Sequence, residues 1–309
     1  TNQNVAYRIR MNLEHELNSF IKIGNNLSVS RQVDRDQNNG SNALSGSIAS
    51  TLRLLPNVNP YNPLHPTGFN INFPNANSIP VGPNSASVDD NFTNVAFTLA
   101  NNKFTSDKYR IINNAFIELS FTKKLKFRSV GSADFFDDYS FQSLDPRHGD
   151  GFSSGGIAFN SNQNQLRYVW QNYFNYNLTG RKHSFYLTAG HEVQSQTNKF
   201  LQAQGASVAD FFFLKENLIS GSASTQTVGG GYGKSSFESL FGRINYDFKN
   251  KYFFQASVRR DGQSSLAKDK RYGNFPGYSF GWRISEEGAW KDNKFLSKWF
   301  PEVKLKYSY

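Results

Sequence analysis

The feature of this sequence that most restricts its fold is a two-residue alternation of apolar and polar side chains between Ser235 and Glu287. Apolar residues recur at every second position in three successive segments, which is the period of a β-strand with one apolar face. The three rows are Leu240, Ile244, Tyr246 and Phe248; Tyr252, Phe254, Ala256 and Val258; and Tyr278, Phe280, Trp282 and Ile284. A corner at Lys249 and Asn250 and a polar loop from 263 to 271 connect them, so the stretch predicts an antiparallel meander.

The apolar face of this meander is rich in aromatic residues near the strand ends, and the opposite face carries polar residues such as Arg243, Asp247 and Arg259. The core of a soluble sandwich favours aliphatic side chains of graded size. A membrane barrel places apolar residues toward lipid, aromatic girdles at both interfaces, and polar residues around a wet lumen. We therefore expect the aromatic face to contact lipid and the polar face to contact water.

Composition narrows the ways in which the chain could meet a membrane. Of its 309 residues 38% are hydrophobic, mean hydropathy is −0.59, and no run approaches the roughly 18 apolar residues of a spanning helix. The net charge of +10 is scattered over corners and polar faces, so we expect no nucleic-acid partner. Because there is no cysteine, disulfides and thiolate metal sites are excluded.

The rest of the chain predicts more strands of the same kind, about ten in all. Short corners are predicted near 18–20, 122–124, 179–182 and 249–250, and they alternate with loops at 35–108, 138–163, 197–234 and 263–271. Only Ser47 to Leu55 is predicted to be helical within the first loop. Outer-membrane barrels have short periplasmic turns and longer external loops. The predicted fold class is therefore all-β: an antiparallel transmembrane β-barrel with long extracellular loops and short periplasmic turns.

Three motifs in and around the meander support a more specific interpretation: SVRRDG at 257–262, RYGNFP at 271–276 and GWRISEE at 281–287. Together they resemble the barrel signature of SusC-like (RagA-type) TonB-dependent transporters, and the proline-rich segment around Tyr61 is similar to an external loop of that family. Leu266, Ala267 and Gly277 depart from the family pattern. The motif residues are Arg259, Arg260, Asp261, Gly262, Phe275, Pro276, Gly281, Trp282, Arg283, Ser285, Glu286 and Glu287.

The resemblance implies a barrel of 22 strands with an internal plug, a SusD-like surface lipoprotein outside, and TonB as the energy source inside. We expect residues 1–309 to be an internal part of that barrel, with the plug and closing strands outside this sequence. The expected function is TonB-dependent active import of large nutrients, glycan oligosaccharides or peptides, across the outer membrane of a Gram-negative bacterium. Two alternatives stay open: a siderophore-type receptor, and a secreted soluble β-sheet module that binds glycans or acts as an adhesin.

Two sets of residues are candidates for function. The polar strand faces would line the lumen or contact the plug through Arg167, Glu192, Arg243, Asp247 and Arg259. Aromatic residues of the predicted external loops could stack on substrate or contact the lipoprotein: Tyr61, Phe69, Phe211, Phe212, Phe213 and Tyr232.

Other constellations in the sequence favour simpler interpretations. The glycine-rich run 229–235 nearly matches a phosphate-binding loop, but a strand follows it, so we predict a flexible external loop. His183, His191 and Glu192 lack metal-ligand spacing because strand neighbours point to opposite faces. The aspartates at 134, 137, 138, 145 and 150 could bind calcium or simply be solvated. We expect no catalytic residues and no cofactor.

Overall fold

The computed structural model describes residues 2–37, 46–54, 56, 58–80, 93–208, 216, 219 and 223–309. They form one ten-stranded sheet. The strands are β1 (Gln3–Glu16), β2 (Ile21–Asp36), β3 (Lys103–Ser120), β4 (Leu125–Leu144), β5 (Ile157–Thr179), β6 (His183–Ala206), β7 (Thr225–Phe248), β8 (Tyr252–Gln263), β9 (Tyr272–Arg283) and β10 (Lys304–Ser308). Every strand pairs antiparallel with its neighbours along the chain, so the sheet is a simple up-and-down meander with β1 and β10 at its edges.

Apart from the connection between β9 and β10, short corners lie at one end of the sheet and longer connections at the other. Short corners at 17–20, 121–124, 180–182 and 249–251 lie at one end, together with the helical connection 284–303. The connections 37–102, 145–156, 207–224 and 264–271 lie at the other end. The corner between β7 and β8 shows why so few residues suffice: Lys249 and Asn250 both have positive φ, 56° and 55°, as a two-residue hairpin turn requires. The predicted alternation of corners and loops is confirmed.

Three of the four predicted loops are shorter than expected, because the strands continue into them. The predicted loop 138–163 contains the end of β4 and the start of β5, and the predicted loop 197–234 contains the end of β6 and the start of β7. The glycine-rich run 229–235 is therefore strand, and the flexible-loop prediction was wrong. The extensions of β6 and β7 have polar residues on both faces, so they lack the alternation by which a strand is recognised, while their ladder pairing continues.

The described helices are short. They are α1 (Ser47–Arg53), α2 (Val95–Asn101), α3 (Gly288–Asp292) and α4 (Lys294–Trp299). Helix α1 confirms the prediction for 47–55, although Leu55 itself lies outside the described residues. Helix α2 was missed; it begins at an N-cap, Asn94, whose side chain accepts a hydrogen bond from the Phe97 N–H. No helix in the described part of the chain is long and apolar enough to cross a membrane.

Buried side chains collect at the end of the sheet that carries the long connections. Phe141, Ala158 and Val208 form one small core there, and Ile71, Ile79 and Phe97 are buried in the first long connection. Along the rest of the sheet large apolar side chains are exposed, and Phe254 is 44% exposed. Within the described ranges no second sheet covers the aromatic face, which excludes a packed sandwich of these residues.

Candidate functional site

One face of the sheet carries an apolar band that begins at the short-turn end. From Tyr252 up to the position in register with Tyr272, this face presents Phe254, Ala256 and Val258 on β8. Arg260 follows on the same face, and its guanidinium lies 5.0 Å from the centre of the Tyr272 ring at the upper limit of the band. Ten strand residues span about 33 Å along the chain, and a strand tilt of about 40° projects this to about 25 Å. That height equals the lipid-facing band of an outer-membrane barrel.

Aromatic residues mark both limits of this band. The lower limit, beside the short turns, is lined by Phe127, Phe185, Tyr246, Phe248, Tyr252 and Trp282. The upper limit is lined by Tyr7, Tyr109, Tyr168, Trp170 and Tyr272, where polar groups enter the same face. There the Arg31 guanidinium lies 5.2 Å from the centre of the Tyr109 ring and 2.6 Å from Asp107. Ring belts flanking an apolar band are the expected pattern at membrane interfaces.

The opposite face carries charged and amide side chains with aromatic rings such as Phe241 and Phe253 among them, and it contains all five residues predicted to face a lumen. Glu192, Ser239 and Asp261 stand in one row across β6, β7 and β8. Arg243 and Asp247 lie an even number of residues from Ser239, so they share this face. Arg167 pairs in register with Gln196, four residues from Glu192, and so shares it too. Arg259 contacts members of the same row. The predicted common face is therefore seen, and whether it faces a lumen is taken up below as a proposal.

The polar row is a connected hydrogen-bond network centred on Arg259. Its Nε donates to Asp261 Oδ1 at 2.7 Å, and its Nη2 lies 3.4 Å from Glu192 Oε1. The buried Ser239 hydroxyl donates to the same Asp261 carboxylate. Gln171 donates its side-chain amide to Glu192. The network thus links side chains of β5, β6, β7 and β8, which holds them at fixed positions above the sheet.

The motif residues divide between the two faces and the connection that follows β9. Arg259, Asp261, Phe275, Gly281 and Arg283 lie on the polar face; Arg260, Gly262, Pro276 and Trp282 lie on the apolar face; Ser285, Glu286 and Glu287 lie after β9. The Glu287 carboxylate accepts hydrogen bonds from Lys251 Nζ at 2.6 Å, Tyr252 OH at 2.7 Å and Trp282 Nε1 at 2.9 Å. Glu287 therefore ties the β7–β8 turn to the ends of β8 and β9.

These contacts change the acidity of Glu287. The hydrogen bond from Lys251 and the further ones from Tyr252 and Trp282 favour the ionised carboxylate and lower its pKa to about 2. Glu286, next to it, pairs with Lys291 at 2.5 Å, and this contact also lowers its pKa. Glu286 and Glu287 are thus both ionised at any physiological pH.

At the other end of the sheet, the connections 37–102 and 145–156 pack into a loop cluster around Phe97. The Phe97 ring makes edge contacts with Phe69 and His148, at centroid distances of 5.4 and 5.7 Å. The Arg147 guanidinium lies 5.3 Å from the same ring and bonds Asp145 at 2.7 Å. Because it joins two separate connections, the cluster gives this end of the sheet a defined surface.

His148 is the buried polar centre of that cluster. Its Nε2 accepts the Asn94 backbone N–H at 2.8 Å, so the neutral ring carries its proton on Nδ1. The Asn94 side chain in turn donates to the carbonyls of Pro60 and Asn70. Burial lowers the pKa of His148 to about 4, against the opposing charge of Asp145. The sequence analysis missed His148; the signal available was Asn94, a helix N-cap residue placed before an apolar run.

The predicted aromatic contact residues do not form one site among the residues described. Tyr61 and Phe69 meet, with ring centroids 5.6 Å apart, at the exposed edge of the loop cluster. Tyr232 is 65% exposed on strand β7, on the same face as the apolar band, so its assignment to a loop was wrong. Phe211, Phe212 and Phe213 lie outside the described residues.

The histidines and acidic groups flagged as weak metal candidates have other partners. His191 Nε2 lies 2.8 Å from Glu238 on the apolar face, and His183 contacts the Tyr246 hydroxyl. Asp134 pairs with Arg110 at 2.7 Å. In the described ranges of the chain, no group of three or more His, Cys, Asp or Glu could hold a metal ion.

Comparison with known proteins gives relatives of one kind, although no family model matches the chain. It is 33% identical to TonB-dependent receptor P39 of Formosa agariphila over 140 residues, which is 45% of this chain and 13% of that receptor. It is 30% identical to TonB-dependent receptor P3 of the same organism over 149 residues, 48% of this chain and 15% of the relative. Over 64 residues, 21% of the chain, it is 44% identical to TonB-dependent receptor SusC of Bacteroides thetaiotaomicron, of which this covers 6%.

Among solved structures, the RagAB peptide transporter superposes on 99% of this chain with a TM-score of 0.74 at 19% identity. This match covers 32% of the solved chain, so the sequence spans well under two thirds of the proteins it resembles. The fold and the related sequences together define the class: the sheet is antiparallel β-barrel wall of the TonB-dependent receptor type. Within that class its sequence is similar to SusC over the 64 matched residues, in agreement with the resemblance of the motifs at 257–287, and its fold is that of the RagAB chain.

Proposed function

We propose that this chain forms barrel wall and external loops of an outer-membrane importer that is energised through TonB. The observation that carries the proposal is the division of the sheet into a face with an apolar band about 25 Å high and an opposite face that carries the network of charged and amide side chains. With the band in lipid, the polar face that bears Arg259 and Glu192 lines the lumen. The short turns then lie on the periplasmic side and the loop cluster at the cell surface.

The proposal includes the size of the barrel. Ten strands enclose too little space for a plug, whereas 22-stranded transporters hold one. We propose that residues 1–309 are an internal portion of such a barrel, and that Arg167, Glu192, Arg243, Asp247 and Arg259 face the lumen or the plug. The superposition on about a third of the RagAB chain supports this arrangement.

The proposed cargo is a large nutrient, a glycan oligosaccharide or a peptide, received from a SusD-like surface lipoprotein. The likeness to SusC and to a transporter described as a peptide importer supports that range of cargo. At the cell-surface end Tyr61 is exposed and Phe69 is half-buried beside it, and there they would meet the lipoprotein or the substrate.

The test uses the full-length protein in its native outer membrane. We expect heat-modifiable electrophoretic migration of the protein and uptake of labelled oligosaccharide or peptide that stops when TonB is deleted. Deleting a neighbouring lipoprotein gene should weaken substrate capture without removing the barrel from the membrane. Recovery of the full-length protein as a soluble, secreted species would refute the proposal.

A further inference from the structure

The glycine-rich run that the sequence analysis set aside has a structural partner on strand β6. Gly229, Gly231 and Gly233 lie on the polar face of β7, opposite Gln202, Phe200 and Asn198. A side chain at Gly231 would overlap Phe200, because an added Cβ would lie 2.3 Å from the Cε1 atom of the ring. The Phe200 ring therefore rests on the bare backbone of β7.

One side of the Phe200 ring lies against β7, yet the residue is 50% exposed, so the ring can act as a platform, a flat surface open to a ligand. Phe200 stands seven positions beyond Val193, which is in register with Tyr272 across β7 and β8, so it lies about 18 Å outside the upper limit of the apolar band. On the polar face this is the mouth of the proposed lumen. An exposed aromatic ring at such a position offers a flat apolar surface to an entering ligand.

Amide side chains surround the platform. Gln163 stands opposite Phe200 on β5, Gln165 stands opposite Asn198, and Gln202 follows on β6. Each amide offers both donors and an acceptor, as a sugar hydroxyl also does. On this face of β5, β6 and β7, the described positions 159–165, 196–204 and 227–235 carry no charged side chain, in a chain with 19% charged residues. The nearest charges on this face stand at its borders: Asp138 on β4 is in register with Gln163, and Arg167 is two residues from Gln165 on β5. The immediate neighbours of the Phe200 ring are therefore neutral.

We infer that Phe200, resting on Gly231 and flanked by Gln163, Gln165, Asn198 and Gln202, is a capture subsite for a neutral sugar ring at the mouth of the barrel. The ring stacks on the apolar face of the pyranose, and the amides bind its hydroxyls. The inference rests on the proposed function, because it takes the polar face as the lumen face, and it selects glycan over peptide as the cargo at this position.

The experiment compares four variants of the full-length protein, purified from membranes and checked for heat-modifiable migration. Phe200→Ala removes the platform, and Gly231→Ala displaces it. Gly233→Ala is the matched control, because an added Cβ there meets nothing within 4 Å. Asn162→Ala controls for the amides, since Asn162 is on the same strand as Gln163 but on the opposite face.

Binding is measured on an array that carries neutral oligosaccharides, acidic oligosaccharides and peptides. We expect the parent protein to bind neutral oligosaccharides, Phe200→Ala and Gly231→Ala to bind them about tenfold more weakly, and both controls to bind normally. Preference for peptides or acidic glycans, equal binding by Phe200→Ala and Gly233→Ala, or no binding of any neutral oligosaccharide each overturns the inference. TonB-dependent uptake, measured separately, shows whether the importer proposal survives such a failure.

Discussion

The lipid assignment of the apolar face makes a strong quantitative prediction at Val258. This residue is 53% exposed on the apolar face and lies six positions above Tyr252 in a band ten residues high, close to mid-height. An arginine there would place its charge near the centre of the bilayer. Arginine at the midplane on the lipid face of a barrel costs about 2–4 kcal/mol. We therefore expect Val258→Arg to shift the folding equilibrium by about 30- to 1,000-fold.

The assay is reversible urea unfolding of the full-length protein in lipid vesicles, followed by tryptophan fluorescence and by heat-modifiable migration. Gln255→Arg is the matched control, because Gln255 is on the same strand but on the polar face, between Asn245 and Ser279. A charge exposed to water in the lumen should cost less than about 1 kcal/mol. Equal destabilisation by the two variants, or greater destabilisation by Gln255→Arg, would refute the assignment of the faces.

Three further predictions concern named contacts. Glu287→Gln should lower the melting temperature by a few degrees at pH 4. At that pH the Glu287 carboxylate is still ionised and its contact with Lys251 is still charged, because the pKa of Glu287 is about 2. Lowering the pH from about 6.5 to 4 should lower the free energy of unfolding of the loop cluster by roughly 3 kcal/mol, because neutral His148 must take up a proton. Residues 145–156 should then become accessible to protease. Gly24→Ala should cost about 1–3 kcal/mol, and Gly131→Ala much less.

The contrary outcomes are specific to each of these variants. A Glu287→Gln protein as stable as its parent at pH 4 would show that the contact with Lys251 contributes nothing. Unchanged protease resistance at pH 4 would contradict the burial of neutral His148. For Gly24→Ala the expected cost comes from an added Cβ 2.2 Å from the Phe116 ring, whereas at Gly131 nothing lies within 4 Å. Equal stability of those two variants would refute the steric account.

The sequence predicted the membrane-facing half of the sheet well. Between Tyr252 and Val258, for example, successive residues point to opposite faces of the sheet. Because one face is apolar and the other polar, the side chains alternate in polarity with a period of two. The short turns were also predictable, because Lys249 and Asn250 stand between two such segments. The polar row of Glu192, Arg243 and Arg259 followed from the same alternation.

The extensions beyond the membrane could not be predicted in this way. Thr225–Ser235 has polar or small residues on both faces, so the alternation of apolar and polar residues is absent there. Its glycines, taken by themselves, indicate a loop. Pairing with β6 decides otherwise, because the ladder hydrogen bonds depend on backbone groups that the side chains do not reveal. The loop cluster around His148 was also invisible, since Asn94 and His148 are 54 residues apart.

The sequence by itself determined that this protein is a sheet with one apolar and one polar face, because strand periodicity and solvent preference are local properties of each residue. Only the tertiary structure decided that Phe200 lies on Gly231, that His148 is buried beside Asn94, and that Glu287 joins three strand ends. Those contacts depend on the register between distant segments, which is set by the whole ladder of paired strands and by no short stretch of sequence.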